Sequence, residues 1–378
     1  RSQATAARCG MRTVRRLFHA DIASAVLFVG LAFLALFFFI DFVDELGNVG
    51  QRGYSALPAA LYCLLLAPGH LYELMPIAVL IGTIYALARL AQSSQYTILR
   101  TGGLGPGRAL WLLTMLALVF GLFTFAIGDY VAPYAERVAS QLRAVFTGSL
   151  KLSRSGAWIK QHALTPGGER TYSINIGSAD GGSLLRDVRI FEFDADGHLL
   201  TRTFAKRADV ARDGTWTLAD ATITHWTDAG TQSSARQETK ASLAWPSTLS
   251  PQVVAAAVLP VTTMSTIDLW RYIGHLADNE QASELPKIQF WKRALYPFAC
   301  LVMMGLALPF AYLNARSGGI SVKVFAGIML GVSFVLLNNV FRHLGVLGNW
   351  TPWIVAAAPG ALYLLMSLAA FGWLVRYR

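Results

Sequence analysis

The sequence predicts a membrane α-helical protein with six transmembrane helices, three plus three, around an inserted all-β, jelly-roll-like domain. Of its 378 residues, 54% are hydrophobic and only 14% are charged, whereas a soluble domain is about 25% charged. The apolar residues lie in runs long enough to cross about 30 Å of hydrocarbon. Between the third and fourth runs lies a polar, turn-rich stretch of short alternating segments, which is typical of β-structure.

The apolar runs define the six spans. Ile22–Ile40 is longer than a signal-peptide core, and DFVDEL follows it instead of a small-residue cleavage site, so we expect it to be retained as a helix. The second span contains Pro68 and Pro76 and is expected to bend or break between them. The second span lies within Leu57–Leu87, and the third to sixth spans are Ala109–Gly128, Ala294–Leu313, Val324–Phe341 and Trp353–Leu374.

Charge is unevenly distributed along the chain and predicts its orientation. Residues 129–290 hold 16 Lys/Arg and 17 Asp/Glu (net −1), and the remainder holds 16 against 5 (net +11). The basic residues cluster at both termini and in the 88–108 loop, so these are predicted to be cytoplasmic. Lys292 and Arg293 are exceptions, because they flank the predicted outer end of span four. The insert is then outside, which in a bacterium means the periplasm, and its net charge argues against nucleic-acid binding.

Three domains are predicted. Residues 1–146 form the N-terminal membrane half, 147–262 the β-domain, and 263–378 a connecting helix (Ile267–Leu276) with the C-terminal membrane half. Turn signals such as Asp196-Gly197 separate the strands. The predicted strands are Gly156–Gln161, Thr171–Ile176, Asp187–Phe193, Leu199–Lys206, Thr215–Leu218 and Thr222–Trp226.

No motif for catalysis occurs in the sequence. It lacks G-x-x-x-x-G-K-[ST], H-E-x-x-H and G-x-S-x-G, so we expect no enzyme site, no metal and no cofactor in this chain. None of the three cysteines falls in the β-domain, which argues against a disulfide framework. Asp194-Ala195-Asp196-Gly197 begins like a calcium loop but lacks the Glu at loop position twelve, so a hairpin turn is predicted.

Two segments carry candidate functional residues. The stretch 88–101 (ARLAQSSQYTILRT) can form an amphipathic helix, with Leu90 on its apolar side. It would either lie on lipid or dock into a separate ATPase as a coupling helix. Arg137 and Arg143 lie on a predicted helical extension of span three, as interfacial anchors or phosphate ligands. Because they are six residues apart, they do not share one narrow face.

Three motifs resemble the lipopolysaccharide-export permeases (YjgP/YjgQ type). These are Phe42-Val43-Asp44-Glu45-Leu46 at the end of helix one, AQSSQYTILRTGG at 91–103, and GDYVAP at 128–133. The resemblance covers residues 12–378. It is greatest to the G-type subunit, with the F-type subunit second.

The resemblance implies a function and partners. Such a permease pairs with its sibling as a heterodimer, a separate ATPase dimer binds ATP and drives both, and a single-span subunit regulates transport. Lipopolysaccharide is extracted from the outer leaflet of the inner membrane and passed to a periplasmic bridge for outer-membrane biogenesis. The residues implied to contact the ATPase are Gln92, Gln95, Tyr96, Leu99 and Arg100. Those implied to contact substrate are Arg143 and Arg137 for lipid A phosphates, and Phe28, Leu31 and Phe334 for acyl chains.

Some positions depart from the family pattern. Asp41 stands where the family often has Lys, so the basic rim is thinner, and Gln95 replaces an acidic residue. The alternatives are an F-type sibling, a permease for another lipid or lipoprotein, or, from another class, a membrane-anchored periplasmic binding or sensor module.

Overall fold

A computed structural model describes most of the chain, in two compact units. One unit comprises Arg1–Val43, Leu66–Ala132 and Lys287–Arg378, and the other comprises Asp44–Leu65 and Pro133–Pro286. The predicted boundaries at 146/147 and 262/263 remain predictions. The described residues are 2–50, 53–93, 106–147, 150–151, 157–165, 168–179, 184–211, 215–228, 233–247, 249, 254, 261, 264–278, 283–312 and 319–376.

Helices flank the β-domain on both sides in the chain. A π-helix, Ile127–Val131, separates α3 from α4. The helices are α1 (Ser2–Leu46), α2 (Ala56–Gln92), α3 (Pro106–Ala126), α4 (Ala132–Thr147), α5 (Thr266–Asp278), α6 (Glu284–Ala307), α7 (Pro309–Tyr312), α8 (Ile320–Leu347) and α9 (Pro352–Arg376).

Five helical stretches in the described part of the chain are long and apolar enough to cross a membrane. They are Phe18–Leu46, Ala56–Gln92, Gly107–Arg143, Ile320–Leu347 and Pro352–Trp373. The predicted fourth span lies in α6, which is not among them. Lys292 and Arg293 lower its apolar character, and the helix ends at Ala307. The total of six spans therefore remains a prediction.

In the second span, α2 runs without a break through Pro68 and Pro76, so the predicted break is absent and the predicted bend stays a prediction. A proline inside a helix costs about 3 kcal/mol. Leu80, Ile84 and Leu87 of the same helix are fully buried in the core of the helical unit. This packing stabilises the continuous helix despite the two missing backbone donors.

Close helix contacts in the helical unit depend on glycine. A Cβ added to Gly82 on α2 would lie 2.6 Å from the backbone of Val26 on α1. A Cβ on Gly331 of α8 would lie 2.7 Å from Ile77 of α2. Small residues let membrane helices approach closely and gain van der Waals contact, so these glycines fix the packing of α2 between α1 and α8.

The insert is an antiparallel sheet, which confirms the predicted all-β domain. The two-residue β1 and the longer β2 both pair with β3, and the order then continues β3-β4-β5-β6-β7. From β2 onward each strand pairs with its neighbour in sequence, a meander built from hairpins and not the Greek-key order of a jelly roll. The strands are β1 (Leu150–Lys151), β2 (Ala157–Thr165), β3 (Gly168–Ala179), β4 (Leu184–Phe193), β5 (Leu199–Val210), β6 (Thr215–Asp228) and β7 (Ser233–Pro246).

Two features of the sheet were not predicted. The last two predicted strands are one strand, β6, which continues through Asp220 at a φ of 52°, a left-handed value that Asp tolerates. The sequence predicts no strand over Ser233–Pro246, the residues of β7. Because β7 is an edge strand whose described side chains are all at least partly exposed, it lacks the apolar alternation that reveals a half-buried strand.

The β-domain has its own apolar core. Ile174, Val188 and Leu218 are fully buried, and Trp216 packs edge-on against Trp245 with ring centroids 5.5 Å apart. This core is separate from that of the helices, so each unit buries its own apolar surface.

Candidate functional site

Helix α4 carries both predicted phosphate ligands. It follows directly from the π-helix and confirms the predicted helical extension beyond span three. Arg137 and Arg143 point to different partners, as their six-residue spacing predicted.

Arg143 lies in a cluster with Glu45 of α1 and Tyr62 of α2. Its Nη2 is 3.3 Å from Oε2 of Glu45, and its Nη1 donates a 3.4 Å hydrogen bond to the hydroxyl of Tyr62. The guanidinium carbon also lies 5.3 Å from the centroid of the Tyr62 ring. Glu45 is only 5% exposed, whereas the Arg143 side chain is 40% exposed. The cation therefore bridges a buried carboxylate and an accessible surface.

Tyr54 borders the same carboxylate. Burial raises the pKa of the Tyr54 hydroxyl, and the nearby charge of Glu45 raises that pKa further. The Tyr54 ring packs against Phe146 of α4 at 5.1 Å between centroids. Tyr54 is therefore neutral at ordinary pH and helps to hold the end of α4 in place.

Arg137 is paired with α5. Its Nη2 donates a 2.6 Å hydrogen bond to Oδ2 of Asp268, and both side chains are partly exposed. Burial alone would raise the pKa of Asp268, but hydrogen bonds from Ser265 and Arg137 outweigh burial, and the pKa is lowered. Arg137 thus links α4 to the connecting helix.

The predicted acyl-chain contacts divide into two groups. Phe28 and Leu31 are 73% and 56% exposed on α1. Phe334, in contrast, is only 5% exposed and packs edge-on against Tyr363 of α9, so in this chain it belongs to the helix core and lines no open surface. Its neighbours Val332, Val335 and Leu336 are exposed apolar residues of α8.

The carboxylate that departs from the family pattern also has a basic partner. Oδ2 of Asp41 lies 2.7 Å from Nε2 of His70, and Phe37 contacts the same imidazole. The residues are 29 apart in sequence, so no local pattern could have revealed the pair.

Most of the predicted coupling residues lie outside the described residues, namely Gln95, Tyr96, Leu99 and Arg100. Gln92 is exposed as the last residue of α2. Leu90 was predicted on the surface, but it is buried in the helix core because this part of the segment continues α2.

The aspartates that resemble a calcium loop form a turn, as predicted. Oδ1 of Asp194 accepts hydrogen bonds from the backbone N–H groups of Asp196 and His198, and these bonds lower the pKa of Asp194. Gly197 adopts a φ of 83°. Although Asp194, Asp196 and His198 lie close together, the Asp194 carboxylate already caps the hairpin.

Long apolar helices and an inserted antiparallel β-domain define a polytopic membrane protein. The chain belongs to the family described as "Lipopolysaccharide export system permease LptF/LptG", whose match extends over residues 16–374.

Two relatives called "Lipopolysaccharide export system permease protein LptG" resemble the chain along most of their length. The protein from Escherichia coli (strain K12) is 28% identical over 336 residues, which cover 87% of this chain and 89% of the relative. The protein from Haemophilus influenzae is 25% identical over 362 residues, which cover 94% and 97%.

Proposed function

We propose that this chain is a permease subunit of an ATP-driven transporter that extracts lipopolysaccharide from the inner membrane and passes it towards the outer membrane. The observation that carries the proposal is the family match over residues 16–374, supported by relatives called LptG. The fold agrees, since apolar spans flank an inserted β-domain.

The chemistry of the substrate fits the described residues. Lipid A carries phosphates and acyl chains on one molecule. Arg143 offers a planar, permanently charged guanidinium of the kind that binds phosphate in bidentate fashion. The exposed Phe28 and Leu31 offer apolar surface to acyl chains. Arg137 is a second cation on the same helix, held by Asp268.

The proposed assembly contains further chains. A sibling F-type permease would complete a heterodimer, a cytoplasmic ATPase dimer would bind ATP, and a single-span subunit would regulate transport. The absence of a P-loop motif from the sequence supports a separate ATPase. The segment after Gln92 would contact this ATPase and transmit its motion to the permease. The charge distribution predicts that both termini are cytoplasmic and that the β-domain is periplasmic.

The other candidates are less well supported. Both curated relatives are G-type permeases, which favours that subunit over the F-type sibling. A permease for another lipid would share the fold but not these relatives. A membrane-anchored sensor would not need several apolar spans.

Purification in mild detergent, followed by mass spectrometry of bound chains and lipid, tests the proposal. We expect an ATPase, a sibling permease and a lipid containing lipid A. A Leu99→Asp variant should lose the ATPase but keep the sibling permease. Recovery of the chain without any ATPase, or with only ordinary phospholipid, would contradict the proposal.

A further inference from the structure

Helix α1 ends with a buried carboxylate directed at the proposed phosphate ligand. Glu45 is the second-last residue of α1, and its Oε2 lies 3.3 Å from Nη2 of Arg143. The last carbonyls of a helix carry partial negative charge, which disfavours a carboxylate there. A buried charge needs a partner to offset its lost hydration. Arg143 is therefore the partner that stabilises Glu45 in this buried position.

Two tyrosine hydroxyls also lie beside this ion pair. Tyr62 accepts a hydrogen bond from Nη1 of Arg143, and the hydroxyl of Tyr54 faces Glu45 with its pKa raised by burial and by that carboxylate. Neither hydroxyl supplies a second cation to Glu45. Arg143 is the cation that these contacts place beside it.

During transport the guanidinium of Arg143 would bind a second anion, the substrate phosphate, while Glu45 lies beside it. A guanidinium has five N–H donors, and a bidentate contact with phosphate uses two parallel ones. In Arg143 the Nη2 side faces Glu45 and the Nη1 side faces Tyr62. These contacts use two of the five donors, so a phosphate on the same guanidinium would lie beside the negative charge of Glu45 and compete with it for the positive charge of Arg143.

We propose that Glu45 is an internal competitor of the substrate phosphate for Arg143 and sets the affinity of this site. This inference rests on the proposed function. A transport site must bind tightly enough to capture its cargo and weakly enough to release it. When the phosphate leaves, Glu45 takes back the guanidinium, so that the empty site is not left as an unpaired cation. Glu45 is thus a positioning residue that weakens phosphate binding while it orients Arg143.

The test compares two probes on the full chain, purified with its co-purifying chains and reconstituted in nanodiscs without nucleotide. The probes are lipid A with two phosphates and the same lipid A with both removed. Glu45→Gln should tighten binding of the phosphorylated probe by at least about fivefold and leave the dephosphorylated probe unchanged. Arg143→Gln should weaken binding of the phosphorylated probe, and Glu45→Gln added to it should have no further effect.

Asp220→Asn is the control, because it removes a carboxylate from Lys206 in the β-domain, an ion pair that lies outside the proposed binding residues. It should change either affinity less than about twofold, a factor worth well under 1.4 kcal/mol. If Glu45→Gln does not yield a monodisperse complex, Glu45→Asp serves instead. It withdraws the carboxylate by one methylene and should tighten binding by a smaller factor.

Several results would overturn the inference. These are an unchanged or weaker affinity in the Glu45 variants, an equal gain in Asp220→Asn, or a gain that persists without Arg143 or without phosphates. Failure of the proposed function looks different, since the unmodified complex would then bind neither probe. If the unmodified complex binds and Arg143→Gln weakens it while the Glu45 variants match the unmodified protein, only the role of Glu45 is rejected.

Discussion

Arg293 on α6 donates a 2.6 Å hydrogen bond from its Nη1 to the backbone carbonyl of Gly128. Gly128 lies in the π-helix, where the i→i+5 pattern alters the usual pairing of the backbone. The arginine is almost fully buried, and its guanidinium carbon lies 5.8 Å from the centroid of the Tyr72 ring. A charge that opposed the predicted membrane orientation is therefore a structural residue of the helix core.

Replacing Arg293 by Met should destabilise the protein. The change leaves a buried carbonyl without its donor, which costs about 1–3 kcal/mol. We expect a lower melting temperature in detergent, measured by intrinsic tryptophan fluorescence. Arg271→Met on the exposed face of α5 is the control and should shift the free energy of unfolding by less than about 0.5 kcal/mol. Equal shifts in both variants would contradict the role of Arg293.

Gly82→Ala should disrupt the contact between α1 and α2. The added Cβ would lie 2.6 Å from Cα and N of Val26, and a backbone cannot move aside as a side chain can. We expect loss of thermal stability and a lower yield of monodisperse protein. Gly30→Ala is the control, since its Cβ would meet nothing within 4 Å. If Gly82→Ala were as stable as Gly30→Ala, α1 and α2 would not be packed this closely at Gly82.

Trp216→Ala should destabilise the β-domain severely. Trp216 is fully buried against Trp245, and removing such a side chain costs about 3–5 kcal/mol. The measurement is resistance of the domain to limited proteolysis. Trp158→Ala removes the same side chain from a position that is 54% exposed and should have a much smaller effect. Equal protease sensitivity in the two variants would argue against the buried core.

The connecting helix should make stability depend on pH through His275. Burial lowers the pKa of His275 from its ordinary 6.5, although Asp278 opposes this. Below pH 6.5 the unfolded chain binds the proton first, so stability falls as pH falls towards the lowered pKa of the folded state. The melting temperature should therefore drop between about pH 7.5 and pH 5.5, and it should drop less in His275→Gln.

His225→Gln, at an exposed position of β6, is the control for this pH series. Its melting temperature should fall between about pH 7.5 and pH 5.5 by as much as that of the unmodified protein. If His275→Gln lost as much stability as the unmodified protein over this range, the pH dependence would come from other groups.

The sequence predicted the spans and the inserted domain well, because both signals are local. A run such as Ile22–Ile40 is apolar regardless of its neighbours, and strands such as β5 alternate because one face is buried. Local signals failed where tertiary packing decides the outcome. Packing keeps α2 continuous through two prolines, and exposure at the sheet edge hides β7.

In the candidate site, too, local signals identified some residues and tertiary packing decided the others. Arg143 could be found from its place on a helical extension of span three. Its partner Glu45 lies 98 positions earlier in the chain, and no periodicity links the two. Phe334 reads as lipid-facing because its whole helix is apolar, and only the ring of Tyr363 beside it shows that it is buried.

By itself the sequence determined the membrane class, the inserted β-domain, the family motifs and the asymmetry of charge, since hydropathy, turn residues and charge act within short stretches of chain. Only the tertiary structure decided which charges are paired. It assigned Glu45 to Arg143, Asp268 to Arg137 and His70 to Asp41, and it placed Arg293 on a backbone carbonyl. The paired nitrogen and oxygen atoms lie about 3 Å apart on residues that are distant in the chain, so these pairs form only once the helices have packed.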